Sequence, residues 1–290
     1  MPTTNRTKSG AAVSNSQSSK PVAAGGGDLA VDIHNLDMIF GTKSGRVTAL
    51  ENISIDIRRE EFFAIVGPSG CGKSTLLLLV AGILQQTSGT LLVGGQPLHG
   101  PYTEAGIAFQ HHNLLEWRTV LNNVLLPLEI RGQKGPQGLA RARELIEMVG
   151  LRGFENHYPH QLSGGMCQRV ALCRALVCGL PLLLMDEPFG ALDALTREEH
   201  QLMLQDVWLH DRRTVLLITH DVREAVLLAD RVAVMSARPG RVRKVVTIDL
   251  PRPRDQAMSE TVEFNRYVHE IRAELFDAGH ARAPRGGAVA

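Results

Sequence analysis

Apolar and polar positions alternate early in the chain. Leu29, Val31 and Ile33 fall on one parity and Leu36, Met38 and Phe40 on the other. That shift predicts a strand with a bulge or bend inside it. Ile53, Ile55 and Ile57 alternate again, as a half-buried strand does, with Gly41 to Arg46 between them reading as a turn-rich loop. Further on the pattern changes. Phe62 to Val66, Leu180 to Met185 and Val215 to Thr219 are unbroken apolar runs closed by polar residues, the look of strands buried on both faces of a parallel sheet. Thr87 to Thr90 reads as a turn, and Leu91 to Gly95 returns to the first, antiparallel layer. Ile107 to Phe109 is a short buried strand ending at Gln110. Val232 to Met235 and Val242 to Leu250 are shorter strands.

Helical periodicity appears at Leu76 to Ala81 and again from Leu114 to Val149, broken there by Pro127 and by Gly132 to Gly138. The second stretch predicts a helical subdomain, about residues 111–162, inserted into the core. Residues 258–276 predict a terminal helix, and the last residues to 290 a frayed end. The expected fold is therefore α/β: a core with a parallel sheet, an N-terminal antiparallel β-layer and an inserted helical subdomain. Residues 28–250 form the main domain and 251–290 a C-terminal extension. Residues 1–27 are rich in Ser, Thr, Ala, Gly and Asn, with three basic residues and no acid. They cannot bury enough apolar surface to fold and are expected to be a disordered tail.

Composition narrows the picture. The 290 residues carry a formal net charge of +1, which argues against a general nucleic-acid binder. The longest apolar run, Leu76 to Leu84, is far too short to span a bilayer, and the N-terminus shows no apolar segment of a signal peptide. The four cysteines, Cys71, Cys167, Cys173 and Cys178, match no zinc spacing and are expected to be reduced thiols. Seven basic residues lie between Arg231 and Arg254 with only Asp249 as an acid. They read either as a solvated face or as a contact for anionic headgroups.

The chemistry concentrates in three places. Gly67-Pro68-Ser69-Gly70-Cys71-Gly72-Lys73-Ser74-Thr75 lies between an apolar strand and a helix, the context a phosphate-binding loop requires. Glycines let successive N–H groups turn inward at phosphate oxygens, and the helix start adds partial positive charge. Lys73 would reach the β- and γ-phosphates and Ser74 a bound Mg²⁺. Cys71, beside this loop, is expected to be a more acidic thiol than usual. Leu182 to Met185 delivers Asp186 and Glu187 to a strand end, where ligands bind in open α/β sheets. Asp186 would hold the Mg²⁺ shell, and Glu187 would polarise or deprotonate an attacking water. Finally, Ser163-Gly164-Gly165 opens another helix, with Ser163 as its N-cap. A second anion-binding helix start is redundant within one subunit but makes sense if it serves the nucleotide of another.

Together these residues resemble the ATPase subunit of an ATP-binding cassette transporter, over roughly residues 29–250. Leu162 to Gln168 resembles that family's signature, with Met166 in the place of its usual Gln and Cys167 following. The resemblance implies further roles: Gln110 as the glutamine contacting metal and water, Asp193 in the loop after the acidic pair, His220 as the γ-phosphate-sensing histidine, and Phe40 as the aromatic stacked on adenine. The segments around Trp117-Arg118-Thr119-Val120, Glu187 to Arg197, Ala237 to Val242 and Leu250 to Arg254 resemble the nitrate, sulfonate, taurine and bicarbonate importer group. That likeness implies ATP and Mg²⁺ as cofactors and a homodimer that closes on two ATP molecules. It also implies transmembrane permease subunits, an extracytoplasmic solute-binding protein and a place on the cytoplasmic face of the membrane. A soluble cassette ATPase of translation or DNA maintenance is the alternative. Leu114, Leu115 and Trp117 either pack within the helical subdomain or receive a permease helix.

Overall fold

The computed structural model describes residues 28–42, 45–190 and 192–277. The expected tail at 1–27, Ala191 and all of the frayed end expected at 277–290 except Asp277 lie outside the described residues; Asp277 is the last residue of a helix. In chain order the strands are β1 (Leu29–Thr42), β2 (Gly45–Arg58), β3 (Phe62–Val66), β4 (Ser88–Val93), β5 (Gln96–Pro97), β6 (Ala105–Ala108), β7 (Leu182–Asp186), β8 (Thr214–Thr219), β9 (Arg231–Met235) and β10 (Val242–Thr247). The helices are α1 (Lys73–Val80), α2 (Val120–Val124), α3 (Leu126–Ile130), α4 (Pro136–Met148), α5 (Gly164–Leu176), α6 (Ala194–His210), α7 (Val222–Leu228) and α8 (Val262–Asp277).

A six-stranded sheet, in the order β10-β9-β3-β8-β7-β6, forms the core. Its strands are parallel except for β10, which runs antiparallel to β9. Each apolar run of the parallel strands divides between two cores by parity, because successive side chains leave a strand on opposite faces. Phe62, Ala64, Val66, Val215, Leu217, Val232 and Val234 join the helices α2 to α8 on one side. Phe63, Ile65, Leu216, Ile218, Ala233 and Met235 join α1 and the antiparallel layer on the other.

That layer is a four-stranded sheet in the order β2-β1-β4-β5. The parity shift in β1 is real. The register slips between Ile33 and Leu36, and Asn35 takes a left-handed φ of 47° there. Its side chain donates to Asn52 Oδ1 and its backbone N–H to Ser54 Oγ, so the bulge is hydrogen-bonded rather than loose. Val31 and Ile33 before the slip, and Leu36 and Met38 after it, all reach the same core. Two expectations yield to the structure. The strands run on through Gly41, Thr42, Gly45 and Arg46, and Ser88 to Thr90 are already strand, because pairing across β1 supplies the hydrogen bonds that a turn would otherwise need.

The segment after Leu250 is bound tightly to the core. Phe264, Tyr267, Val268 and Ile271 of α8 belong to the helical-side cluster. Arg254 is 1% exposed. It donates to the carbonyls of Val226, Leu227 and Ala229, which close α7, and to Ile248 and Leu250. Gln205 of α6 bonds both its N–H and its C=O. Burial pulls its guanidinium down to about 10, still charged at neutral pH. Arg254→Ala would strip several buried carbonyls of one charged donor at once and is expected to cost about 3 kcal/mol or more. An unfolding free energy in urea within about 0.5 kcal/mol of the parent would show that water replaces the arginine without loss.

The basic run is not an open cationic face. Arg231 pairs with Asp56 and Glu61, Arg241 with Glu51, Lys244 with Glu270 and Glu274, and Arg252 with Asp230. With Arg254 buried, the headgroup reading loses most of its charges.

Candidate nucleotide site

The phosphate loop joins β3 to α1, and Gly72 caps the helix with φ 99°, which a side-chain-bearing residue reaches only with strain. Lys73 is almost wholly buried. Its Nζ donates to Gly67 O at 2.9 Å and Pro68 O at 3.2 Å and stands 4.0 Å from Glu187 Oε1. The loop thus folds around its own lysine. One residue on, Ser74 Oγ donates to Asp186 Oδ1 at 3.0 Å. Burial pushes the Asp186 carboxyl up, with the Ser74 bond opposing it and Glu187 adding to it.

Glu187 follows at the end of β7 with φ 46°. Its N–H bonds Ile218 O at the end of β8, so two strand ends fix a strained backbone. Its Oε2 lies 3.0 Å from His220 Nδ1. Gly190 stands beside both Gln110 and Glu187: a Cβ there would lie 3.6 Å from Gln110 Nε2 and 3.7 Å from Glu187 Oε2.

These groups converge on a cleft of about 550 Å³ lined by Ser69, Gly70, Gly72, Lys73, Ser74, Thr75, Gln110, Asp186 and Glu187 from the expected set. Val47, Thr48, Ala49 and Arg238 line it too and were not anticipated. Phe40 does not line it. It pairs opposite Val47 on the neighbouring strand and packs against the β-layer core, and Val47 lines the cleft in its place. Gly67 and Pro68 serve through their carbonyls to Lys73 rather than as lining. Cys71 also turns away. It is 1% exposed in the β-layer core, and burial raises its thiol despite the charge of Lys73. The expected acidic cysteine is therefore an inert one, because its side chain points into the core and not at the cleft.

Behind the cleft, Thr219 Oγ1 donates to Glu224 Oε2 at 2.7 Å. Glu224 is buried, and that burial pushes its carboxyl up to about 8. A neutral acid thus packs under the His220 turn, a feature with no local sequence signal.

Ser163, Gly164, Gly165 and Asp193 do not join this cleft; they lie together elsewhere. Ser163 caps α5, accepting from the Met166 N–H, and Asp193 caps α6, accepting from the Thr196 N–H. Gly165 sits against Thr196 and His200, whose Nε2 lies 3.1 Å from Gly165 O. A Cβ at Gly165 would lie 3.0 Å from the Thr196 methyl group, a crowded contact. Burial holds His200 below the usual imidazole range. Met166 packs partly against the helical-side core and Cys167 is buried. Gln168 Nε2 donates to Phe109 O, next to Gln110, and Arg174 grips the carbonyls of His112 and Asn113.

The sequence of residues 50–190 matches the ABC transporter family. The chain is 44% identical over 251 residues to the nitrate import ATP-binding protein of Synechocystis, covering 84% of this chain and 94% of that protein. It is 42% identical over 228 residues to the aliphatic sulfonates import ATP-binding protein of Bacillus licheniformis, covering 79% and 88%. It is 46% identical over 219 residues to the taurine import ATP-binding protein of Burkholderia thailandensis, covering 76% and 84%. Among solved structures it superposes, with a TM-score of 0.66 and 32% identity, on a dimeric ATP-binding cassette in a post-hydrolysis state bound to ADP and Pi, covering 76% of this chain and all of that one. A phosphate loop, an acidic strand end and a capped glycine pair on this fold, with relatives at such identity over most of its length, lead to one conclusion: the chain belongs to the ABC transporter ATP-binding family.

Proposed function

We propose that the chain is the ATP-hydrolysing motor of a membrane importer for a small anion-type solute of the nitrate, sulfonate, taurine or bicarbonate class. It would work as a homodimer with transmembrane permease subunits and an extracytoplasmic solute-binding protein, on the cytoplasmic face of the membrane. The observation that carries this reading is the separation of the two phosphate-binding elements. The cleft with Lys73, Asp186 and Glu187, the last in contact with His220, lacks Ser163 to Gly165, so a second copy would have to supply them. The import proteins named above support the solute class, and the dimeric cassette supports the pairing.

Lys73 would exchange its loop carbonyls for the β- and γ-phosphates. Ser74, Asp186 and Gln110 offer hard oxygen donors that suit Mg²⁺. Among the described residues no cluster of three His, Cys, Asp or Glu could hold a metal alone. That is the usual case for Mg²⁺, which is bound by one or two carboxylates together with substrate phosphates. Glu187 would orient and deprotonate the attacking water, with His220 steadying its Oε2 and meeting the γ-phosphate. Asp193 and the Ser163 turn would close over the other copy's nucleotide.

No helix among the described residues is long and apolar enough to cross a membrane, so coupling to a transport path would need a docking surface. Leu114 is buried and Leu115 partly so, whereas Trp117 is 74% exposed. The buried Asn123 amide makes this placement rigid. It donates to the carbonyls of Leu115, Arg118 and Thr119, and its oxygen accepts from Leu115 N–H. A large aromatic held in water on a hydrogen-bonded template is suited to fill a partner's pocket. Trp117→Ala is expected to leave folding and ATP affinity unchanged while abolishing co-purification with the permease and ATP-driven solute uptake in reconstituted vesicles. Full assembly and uptake by the variant would remove Trp117 from the coupling path. A parent chain that never associates with a membrane protein would favour the soluble ATPase.

A further inference from the structure

Arg238 differs from the paired cations of its run. Arg231, Arg241, Lys244 and Arg252 each meet a carboxylate. Among the described residues Arg238 meets none; its Nε donates to Gly70 O at 2.9 Å, inside the phosphate loop. Arg238 is itself a lining residue of the nucleotide cleft, and its terminal nitrogens meet no hydrogen-bond partner among the described residues. Gly70 is what admits it: a Cβ at that position would lie 2.6 Å from a terminal guanidinium nitrogen.

The loop that carries Arg238 is braced at both ends. Ser236 N–H bonds Arg241 O, and Ser236 Oγ accepts from Arg241 N–H and donates to Pro239 O. Gly240 N–H bonds Ala49 O, and Glu51 N–H bonds Gly240 O, which ties the loop to β2. Gly240 also lies directly against Cys71 O, close enough to exclude any side chain. The loop is thus fixed to β2 through Ala49 and Glu51, and the guanidinium it carries is anchored on Gly70 O; Ala49 and Gly70 both line the cleft. An uncompensated charge with a planar fork of free donors, fixed beside a phosphate loop, matches the geometry of phosphate oxygens better than a lysine would.

We propose that Arg238 is a second cationic arm of the nucleotide site, which holds the phosphate loop through Gly70 O and donates its free N–H groups to the polyphosphate of the bound nucleotide. The proposal rests on the assignment of this cleft to ATP and adds to it a ligand from the β9–β10 loop, outside the loop-and-helix unit.

The test is equilibrium binding of ATP, ADP and adenosine to the purified full chain carrying Arg238→Ala or Arg238→Gln, with Lys73→Ala and Arg241→Ala as references. Loss of a charge-assisted contact predicts roughly tenfold to hundredfold weaker ATP binding in both Arg238 variants. ADP should weaken as well and adenosine should not, and the deficit should shrink as salt rises. Arg241→Ala, whose charge is spent on Glu51, should bind as the parent does. Parent-like ATP affinity in Arg238→Ala would overturn the proposal. So would full recovery in Arg238→Gln, or an equal loss for adenosine, since either would mean that Arg238 only braces the loop. If Lys73→Ala also binds ATP normally, it is the assignment of the cleft that fails.

Discussion

Glu187→Gln is expected to slow ATP turnover by roughly 10²–10⁴-fold, the usual weight of a general base, while leaving ATP affinity in place. The substitution keeps the size of the side chain and an oxygen for His220, so the 3.0 Å contact to its Nδ1 can persist. It also leaves the anchored N–H of residue 187 on Ile218 O. What disappears is basicity at the one carboxylate that faces both His220 and the cleft. With binding intact and hydrolysis blocked, the variant should accumulate as an ATP-bridged dimer, visible by light scattering with ATP and absent with ADP. A monomer under saturating ATP with undiminished hydrolysis would contradict both the role of Glu187 and the shared site.

Lys73→Ala should weaken ATP binding and abolish turnover. The lysine is the one cation inside the loop, and it faces two adjacent acids, Asp186 and Glu187. Removing it leaves those acids opposed to incoming phosphates with nothing between them. It also orphans the carbonyls of Gly67 and Pro68, which now share its ammonium. Leaving a buried acceptor unpaired costs about 1–3 kcal/mol, so the apo variant should also unfold at lower urea than the parent. Parent-like turnover in a preparation free of other ATPases would remove this loop from the chemistry.

The two effects separate what was legible in the sequence from what was not. The loop, the acidic strand end and the parallel strands could be read directly, because each is a contiguous segment whose periodicity or spacing is its own signal. Gln110 and His220 carried no such signal and came only from family likeness, yet the cleft does gather Gln110, and His220 meets Glu187. Contacts between distant segments were invisible. Arg238 and Gly70 are 168 positions apart, and nothing around Arg238 distinguishes it from the paired cations beside it. Val47, opposite Phe40, lines the cleft in its place, and the β1–β2 pairing runs as far as Thr42 and Gly45, a length that the Gly41 to Arg46 segment concealed. Cys71 misled because position in the loop was taken for orientation. Trp117 could be read either way, and the structure leaves it exposed instead of packed within the helical subdomain.

The bond from Gln168 to Phe109 O joins two functions on one rigid rod. Helix α5 carries Ser163 at its tip, and one turn further in it grips the backbone beside Gln110, while Arg174 holds the next carbonyls along. In a dimer built as proposed, the tip would sense the neighbour's nucleotide while the shaft is tied to the residue that senses its own. Occupancy of one cleft is then never private to that cleft. Filling either one would pull on the same rod, so the pair would act as a cooperative unit whose response to ATP is steeper than that of two independent sites, and Trp117, on the segment that Arg174 steadies, would report the joint state and not either site alone.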